Sequence, residues 1–427
     1  MIVEIMLAFS LMILFTVSTY VVVSSMRDLK AWSVDELNKL ETSVRSVDEM
    51  IRDGFQNLSD IEKSAYGNDT TQIFVNHFML DYSDFEEAWG RNSCAARFDF
   101  NPENINYFSD GVDIGAGNAS TDLEVRNGII YLSADASSGA SHDFFIVDTR
   151  DSSNPVVISS LNTGPGISAL EVAGPYVFAA QASSVNQLQI IDIHDRSLPK
   201  LISQVKLPLP TPTTTASFAT AIFYSKGFVY IGTAKWNGPE FAVIDVSNPY
   251  DPIVVGGFET GTQINDIYVR GDRVYLATSD IQQMRVLDVS DKNNPALVDS
   301  FSSSGWQTQA GKVFDFFEGK LGFGRTVGGF NVTSNHEAFF FDTDVDFDVA
   351  EISSDIPGGV YGILSRPGLI FLATHSQQNE FQVWNASLTQ NIFNIPLGIN
   401  PLRMSCDGLN LFFATGNSRG FLLIRTQ

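Results

Sequence analysis

The stretch LEVRNGIIYL at residues 123–132, followed by FIVD at 145–148 and by Asn154-Pro155, sets a pattern that recurs along the chain. An apolar strand runs into a tight turn with Gly and a second strand rich in Tyr, Phe, Leu and Ala. A variable loop, a strand that ends in Asp and a turn with Pro complete the pattern. Three more clear copies begin with LEVAGPYVFA at 170–179, IFYSKGFVYI at 222–231 and IYVRGDRVYL at 267–276. A pattern repeated in this way decides the fold of the whole region.

The turn glycines give the number of repeats. Three fainter copies follow the four clear ones, and the fifth keeps Asp342 at its strand end. Successive turn glycines are 46, 53, 44, 48, 49 and 40 residues apart, and they are Gly128, Gly174, Gly227, Gly271, Gly319, Gly368 and Gly408. Short strands with frequent turns at a period near 45 residues are typical of four-stranded propeller blades. We therefore predict an all-β seven-bladed propeller over residues 96–427.

The repeated residues suit a scaffold role. Gly supplies the positive φ that a tight hairpin turn needs. The strand-end Asp can accept backbone N–H groups of the next turn, and Pro fixes the φ of that turn. We expect these residues to hold the blades together and not to take part in chemistry.

Closure of the ring requires a strand from elsewhere, because the last repeat supplies only three. Ala96–Phe100 is the candidate on the N-terminal side. The chain has two cysteines, Cys94 near that strand and Cys406 in the last repeat. A disulfide between them would lock the ring and contribute roughly 2–5 kcal/mol.

The first 54 residues predict a long helix ahead of the propeller. Residues 5–23 are almost entirely apolar and long enough to cross a bilayer, and no small-residue cleavage site follows. Residues 26–53 contain no Gly or Pro and mix charges of both signs. Apolar residues there step by three and four, at Leu37, Leu40, Val44, Val47 and Ile51. This amphipathic segment is either a stalk or a surface that packs against copies of itself, and residues 55–95 connect it to the propeller.

The N-terminal segment resembles type IV pilins and pseudopilins. The resemblance rests on Ile2-Val3-Glu4-Ile5, the apolar run and the amphipathic helix, although pilins place their glutamate one position later. It implies that Glu4 and the apolar stripe are assembly contacts with the same or other pilin-like subunits. The repeats resemble the LVIVD family of propeller repeats, whose namesake strand here reads FFIVD at 144–148. That resemblance implies a propeller at the cell surface and no particular chemistry.

Charge and motifs narrow the function classes. The formal net charge of −23 disfavours nucleic acid as a partner. Alternate carboxylates suggest a Ca²⁺ loop or a plain acidic loop, at Asp342, Asp344, Asp346 and Asp348. No other cofactor is indicated, and no catalytic motif stands in its required context, so we do not expect an enzyme. The expected protein is a single-pass membrane subunit with an extracellular propeller that binds an unknown surface ligand, in a pilus-like filament or as a monomer. An extracytoplasmic enzyme that uses the propeller funnel is the alternative from another class.

Overall fold

The structure is a computed structural model. It describes residues 93–94, 106–108, 111–136, 139–209, 217–303, 310–317, 319–326, 336–342, 352–366, 368–408 and 410–425, all within the second of two units, Val75–Gln427. Within these residues, no helix has the length and apolar character needed to cross a membrane. The predicted N-terminal helix, with Glu4, the apolar run and the stripe from Leu37 to Ile51, lies outside the described residues.

In the described part of the chain, 29 strands form seven sheets, and the predicted seven-bladed propeller is confirmed. Strands β1 (Ser93–Cys94) and β2 (Asn106–Phe108) come first. Blade 1 contains β3 (Ala119–Arg126), β4 (Ile129–Asp135), β5 (Phe144–Asp148) and β6 (Val156–Leu161). Blade 2 contains β7 (Ile167–Ala173), β8 (Tyr176–Gln181), β9 (Leu188–Asp192) and β10 (Lys200–Val205). Blade 3 contains β11 (Ala219–Ser225), β12 (Phe228–Thr233), β13 (Phe241–Asp245) and β14 (Ile253–Phe258).

The remaining blades follow the same order. Blade 4 contains β15 (Ile264–Arg270), β16 (Arg273–Thr278), β17 (Met284–Asp288) and β18 (Ala296–Phe301). Blade 5 contains β19 (Gly311–Phe317), β20 (Lys320–Arg325), β21 (Ala338–Asp342) and β22 (Ile352–Ser354). Blade 6 contains β23 (Val360–Arg366), β24 (Leu369–Thr374), β25 (Phe381–Asn385) and β26 (Asn391–Ile395). Blade 7 is built on β27 (Arg403–Gly408), β28 (Asn410–Ala414) and β29 (Phe421–Arg425).

Blade 7 is completed from the N-terminal side of the chain, as the sequence predicts, but by a different strand. The outer strand is β2, which pairs antiparallel with β29 and places Tyr107 opposite Ile424. The predicted segment 96–100 lies outside the described residues, and β2 fills the position proposed for it. Strand β1 pairs in parallel with the inner strand β27, and Cys94 lies opposite Gly408. Strands β1 and β2, which precede blade 1 in the sequence, therefore cover both edges of blade 7.

Cys406 lies on β27, is fully buried and is disulfide-bonded. Since Cys94 is the only other cysteine in the sequence, the pairing Cys94–Cys406 is the one available within the chain. It stays a prediction that peptide mapping can test.

The hairpin turns confirm the role expected of the turn glycines. Six of the seven take a positive φ, between 56° and 80°, and they are Gly128, Gly174, Gly227, Gly271, Gly319 and Gly368. In two of these turns the preceding residue also has a positive φ, 52° at Asn127 and 48° at Lys226. Two successive residues with positive φ form the turn type that matches the twist of the flanking strands.

The strand-end aspartates also act as predicted. In blades 1 to 4, Oδ1 of this residue accepts the backbone N–H two residues later, at 2.9–3.0 Å. The four residues are Asp148, Asp192, Asp245 and Asp288. At Asp148 the hydrogen bonds from Arg150 also hold the carboxyl pKa down, at about 2. These aspartates therefore stabilise the turns that follow the third strands.

A second repeated acceptor holds the connection from each blade to the next. The residue just before the third strand is buried, and its side-chain oxygen accepts a backbone N–H from the link that follows the outer strand. The bonds are 2.7–2.9 Å long and join residues 17 to 20 positions apart. The six residues are Asp143, Gln187, Glu240, Gln283, Glu337 and Glu380, each at most 6% exposed. Both acids and amides occur at this position because only an acceptor oxygen is required.

Apolar side chains pack between neighbouring blades. The largest cluster spans blades 3, 4 and 5 and is rich in aromatic residues. Phe301, for example, lies edge-on to Phe341 with the ring centroids 4.8 Å apart. Aromatic pairs in this geometry add to the energy of area burial, so they strengthen the packing between neighbouring blades.

Candidate binding site at the central channel

The inner strands of all seven blades line the central channel, and six of them share a β-bulge near their start. Each bulge appears as a register shift against the second strand of the blade. The bulged residues are Thr121, Ser168, Thr220, Asn265, Lys312 and Tyr361. A bulge adds one unpaired residue and redirects the side chains around it. We refer to these six residues as the bulge positions.

Carboxylates beyond the bulge connect the inner strands of blades 1, 4 and 5 to the next blade. The inner strand is an edge strand, so its N–H groups on the channel side need partners. Asp122 Oδ2 accepts the Leu170 N–H at 3.1 Å. Three equivalent bonds, at 2.6–2.8 Å, run from Val172 to Glu124, from Phe314 to Asp266 and from Ser365 to Asp315. These acidic residues are therefore used as structural acceptors between blades.

Arg403 occupies the channel between two of these carboxylates. It stands in blade 7 at the sequence position that Asp122 and Asp266 hold in blades 1 and 4. Its Nη2 donates to Asp266 Oδ1 at 3.2 Å, and its Nε lies 3.9 Å from Asp122 Oδ1. The guanidinium thus balances two acids on opposite sides of the ring.

Burial raises the pKa values of two channel acids, Asp122 and Asp315. Desolvation raises the pKa of Asp122 to about 6, against the lowering effect of Arg403 and of two backbone N–H groups. Desolvation also raises the pKa of Asp315, against the lowering effect of Arg366. Removing a carboxylate from water disfavours its charged form. Adding or removing one charge in the channel should therefore have a large effect on the stability of the fold.

The space left in the channel is a cavity of about 90 Å³ lined by residues of the inner strands, Asp122, Glu171, Asp266 and Arg403 among them. A cavity of this size accommodates a few water molecules or one small polar group of a ligand. A whole drug-sized ligand needs several hundred Å³. Any ligand of the channel therefore enters with one group and leaves the rest outside.

The side chains at the bulge positions differ in role from blade to blade. In three blades the bulged side chain donates to a backbone carbonyl at the start of the next inner strand. The bonds are Thr121 Oγ1 to Ile167 O at 2.5 Å, Thr220 Oγ1 to Ile264 O at 2.5 Å and Asn265 Nδ2 to Gly311 O at 2.8 Å. Blades 5 and 6 instead carry the long side chains of Lys312 and Tyr361.

Lys312, Tyr361 and His375 form a compact cluster at this end of the channel. The rings of Tyr361 and His375 are stacked, with centroids 3.4 Å apart and an interplanar angle of 7°. Nζ of Lys312 lies 5.7 Å from the centroid of the Tyr361 ring. Nε2 of His375 is 3.0 Å from the Pro401 carbonyl oxygen, which can only accept, so Nε2 carries the proton. All three side chains are half-buried.

Burial and neighbouring charges set the protonation of this cluster. Desolvation, with a contribution from Arg403, lowers the pKa of Lys312 to about 8, while Asp266 opposes the shift. Desolvation also lowers the pKa of His375, against the Pro401 hydrogen bond, and raises the pKa of Tyr361. At neutral pH the cluster therefore presents an ammonium, a neutral imidazole and a phenol.

The residues singled out in the sequence do not meet in this cluster. Asp342 ends β21 and lies opposite Lys320 in the second strand of blade 5. Asp344, Asp346 and Asp348 lie outside the described residues, so the Ca²⁺ loop stays a prediction. No group of three or more metal-ligating side chains is found among the residues that the structure describes. Glu4 and the apolar stripe are likewise outside them.

The channel residues escaped prediction for a physical reason. Lys312 and Tyr361 belong to inner strands whose sequences, GKVFDFF and VYGILSR, do not display the bulge. The signal that could have found them is alignment of the repeats. Thr121, Thr220 and Asn265 are short polar residues at the position where blades 5 and 6 have Lys and Tyr.

Comparison with known families and structures agrees with the geometry. The model of the LVIVD repeat matches residues 168–206, 219–260 and 262–303, which fall in blades 2, 3 and 4. The chain is thus a seven-bladed β-propeller with LVIVD repeats. No curated protein matches its sequence.

Three solved structures resemble this chain in fold at low sequence identity. A computationally designed protein, Ika8, is 11% identical, with a TM-score of 0.51 over 75% of this chain and 100% of the other. A chain of the mitotic checkpoint complex is 13% identical, with a TM-score of 0.56 over 78% and 93%. Hydrazine synthase of Kuenenia stuttgartiensis is 12% identical, with a TM-score of 0.54 over 72% and 96%. At these identities the likeness extends to the fold alone.

Proposed function

We propose that this chain is a surface-displayed binding subunit, in which the N-terminal 54 residues provide anchoring and assembly and the propeller presents a binding site. The use of the channel carboxylates is the observation that supports a binding role. Asp122, Asp266 and Asp315 accept backbone N–H groups of neighbouring blades. Acids held in this way make the inner strands rigid, as a binding surface requires. A catalytic acid or base must instead exchange its proton with a substrate.

Assembly is the finer part of the proposal. The apolar run at 5–23 inserts in the membrane before assembly, and Glu4 and the stripe from Leu37 to Ile51 contact neighbouring pilin-like subunits in a filament. A carboxylate at the edge of an apolar segment is tolerated when it gains a partner. The propeller then lies outside the cell, where it meets its ligand.

Replacing Glu4 by Ala tests assembly. Expressing cells are sheared, and the filament and membrane fractions are probed for the protein and viewed by electron microscopy. We expect Glu4→Ala to remain in the membrane and to be absent from filaments, while the control Glu36→Ala, beside the stripe, assembles normally. Equal incorporation of both variants would overturn the role of Glu4. Membrane-bound protein without filaments in the wild type would instead identify a non-polymerising, anchored binding protein.

A further inference from the structure

Two side chains at the channel mouth, Lys312 and Tyr361, differ from the bulge residues of blades 1, 3 and 4. Thr121, Thr220 and Asn265 each donate to the next blade from the bulge position. The ammonium of Lys312 makes no hydrogen bond and no ion pair with the part of the chain that the structure describes, and neither does the hydroxyl of Tyr361. A long polar side chain at a bulge position that makes no contact of this kind is a candidate for function, because departures from local structural rules are expected at functional sites.

We propose that Lys312, Tyr361 and His375 form a binding site for one carboxylate group of a ligand, at the mouth of the channel between blades 5 and 6. Lys312 donates from its ammonium and Tyr361 from its hydroxyl, and both can reach one anionic group because the two side chains are adjacent. His375 acts as a positioning residue. It stacks on Tyr361 and is itself fixed by Pro401. The site depends on the proposed function only in that the propeller is the binding domain.

The charges around the site favour a monoanion. Arg403 is already engaged by Asp122 and Asp266, so it does not neutralise an incoming ligand. These two carboxylates, and the net charge of −23, repel a dianion such as phosphate more strongly than a carboxylate.

Binding should be linked to proton uptake by Lys312. The groups that act on its charge are Arg403, which disfavours it, Asp266, which favours it, and the neutral His375. A bound carboxylate adds a second favourable partner and keeps the ammonium protonated. Affinity should therefore fall as pH rises above about 8, where free Lys312 loses its proton.

The probe pair is D-glucuronate and D-glucose, which differ in one carboxylate. Binding to the full chain in detergent is measured by ligand-observed NMR titration at pH 7.0 and pH 9.5, with inorganic phosphate as the dianion. We expect glucuronate to bind, glucose and phosphate to bind at least about tenfold more weakly, and glucuronate affinity to fall about tenfold or more at the higher pH. Acetate is titrated in parallel to show whether the carboxylate alone suffices.

Matched variants assign the effect to these residues. Lys312→Met should weaken glucuronate binding about tenfold or more, whereas the exposed control Lys235→Met should not change it. Lys312→Arg should keep binding and lose the pH dependence, because Arg stays charged. Tyr361→Phe removes only the hydroxyl and keeps the stacked ring, so it reports on the site even where Lys312→Met fails to fold.

Three outcomes would overturn the site: no binding of either carboxylate, equal binding of glucuronate and glucose, or unchanged affinity in both Lys312→Met and Tyr361→Phe. Tighter binding of phosphate would identify a dianion site and also refute the proposal. Failure here leaves the proposed function standing when the propeller is still displayed and Glu4→Ala still blocks assembly. Failure of assembly leaves the carboxylate site standing, because its titration does not depend on filaments.

Discussion

Nη2 of Arg403 lies 3.2 Å from Oδ1 of Asp266, although the two residues belong to blades three places apart around the ring. The pair therefore spans the channel and joins its far sides. The Arg403 side chain is 19% exposed and that of Asp266 is 9% exposed, so solvent screens the interaction only in part. Few contacts in a propeller connect blades that are not neighbours, and this one does so with opposite charges.

Replacing Arg403 by Met should destabilise the fold by about 3 kcal/mol. The change leaves Asp266 and Asp122 in the channel without their cation, and an uncompensated buried charge is costly. Urea denaturation followed by tryptophan fluorescence measures the loss. Arg425→Met, at an exposed position in the same blade, is the control and should cost less than about 0.5 kcal/mol. Adding Asp266→Asn to Arg403→Met should recover part of the loss, and no recovery would show that the charge is not the cause.

Because of Glu337, the free energy of unfolding should fall as pH rises. Desolvation and the nearby Asp355 raise its pKa from 4.5 to about 8, against the lowering effects of the Ile356 N–H and Arg325. The folded state therefore holds a proton that the unfolded state loses above pH 4.5. The contribution of this proton to stability is full below about pH 4.5 and is lost as pH rises to about 8.

Glu337→Gln should remove that part of the pH dependence and stabilise the protein at pH 8–9 by about 1–3 kcal/mol. Gln fits the position because Gln187 and Gln283 hold the same place in blades 2 and 4 and accept the equivalent N–H. Thermal unfolding between pH 5 and pH 9 is the measurement. Exposed Glu259→Gln should leave the curve unchanged, and an unaltered curve for Glu337→Gln would refute the prediction.

The disulfide of Cys406 should stabilise the closed ring by roughly 2–5 kcal/mol. Reductant should lower the unfolding midpoint of the wild type and have no effect on Cys406→Ala. Non-reducing peptide mapping should recover a Cys94–Cys406 peptide pair, and recovery of both thiols free would show that the bond is absent. Because Arg366 Nη2 lies 3.2 Å from Cys406 Sγ, Cys94→Ser is the cleaner variant, since it retains that contact.

Closure by β2 predicts a strong effect of proline at Tyr107. This residue lies opposite Ile424 in an antiparallel ladder, and proline removes a backbone donor and fixes φ. Because the fixed φ of proline differs from that of a strand, we expect Tyr107→Pro to destabilise the propeller by about 1–3 kcal/mol and to speed its proteolysis, while the control Tyr107→Phe keeps the backbone donor and the ring. Equal stability of the two variants would mean that β2 does not carry the closure.

The sequence allowed prediction of features that repeat at a fixed short spacing. The turn glycines and strand-end aspartates, such as Gly128 and Asp148, recur in neighbouring copies and are recognisable by eye. The closing strand was misplaced because three residues, Asn106–Phe108, are too few to show an alternating pattern.

Contacts between blades were beyond prediction for a different reason. Asp122 meets Leu170, 48 residues away, and Arg403 meets Asp266 at a separation of 137 residues. The Asp122 side chain bonds a backbone N–H, so the residue type of its partner is not constrained, whereas Arg403 and Asp266 form a single pair that does not recur with the repeat. The buried acceptors before the third strands add a further difficulty. Asp143, Gln187 and Glu337 accept equivalent backbone N–H groups although they are different residue types.

The buried acceptor before each third strand affects how easily a propeller can gain or lose a blade. In each of blades 1 to 6, this acceptor oxygen binds the segment that leads from the same blade to the next one. A duplicated blade would therefore contain the acceptor for its own connecting segment. Blade 7 differs, since Gly420 stands at that place and a Cβ there would lie 3.0 Å from the Val112 backbone oxygen. We therefore expect a ring of this kind to gain or lose a blade more easily among blades 1 to 6 than at blade 7, where the chain is packed closely against the segment that precedes blade 1.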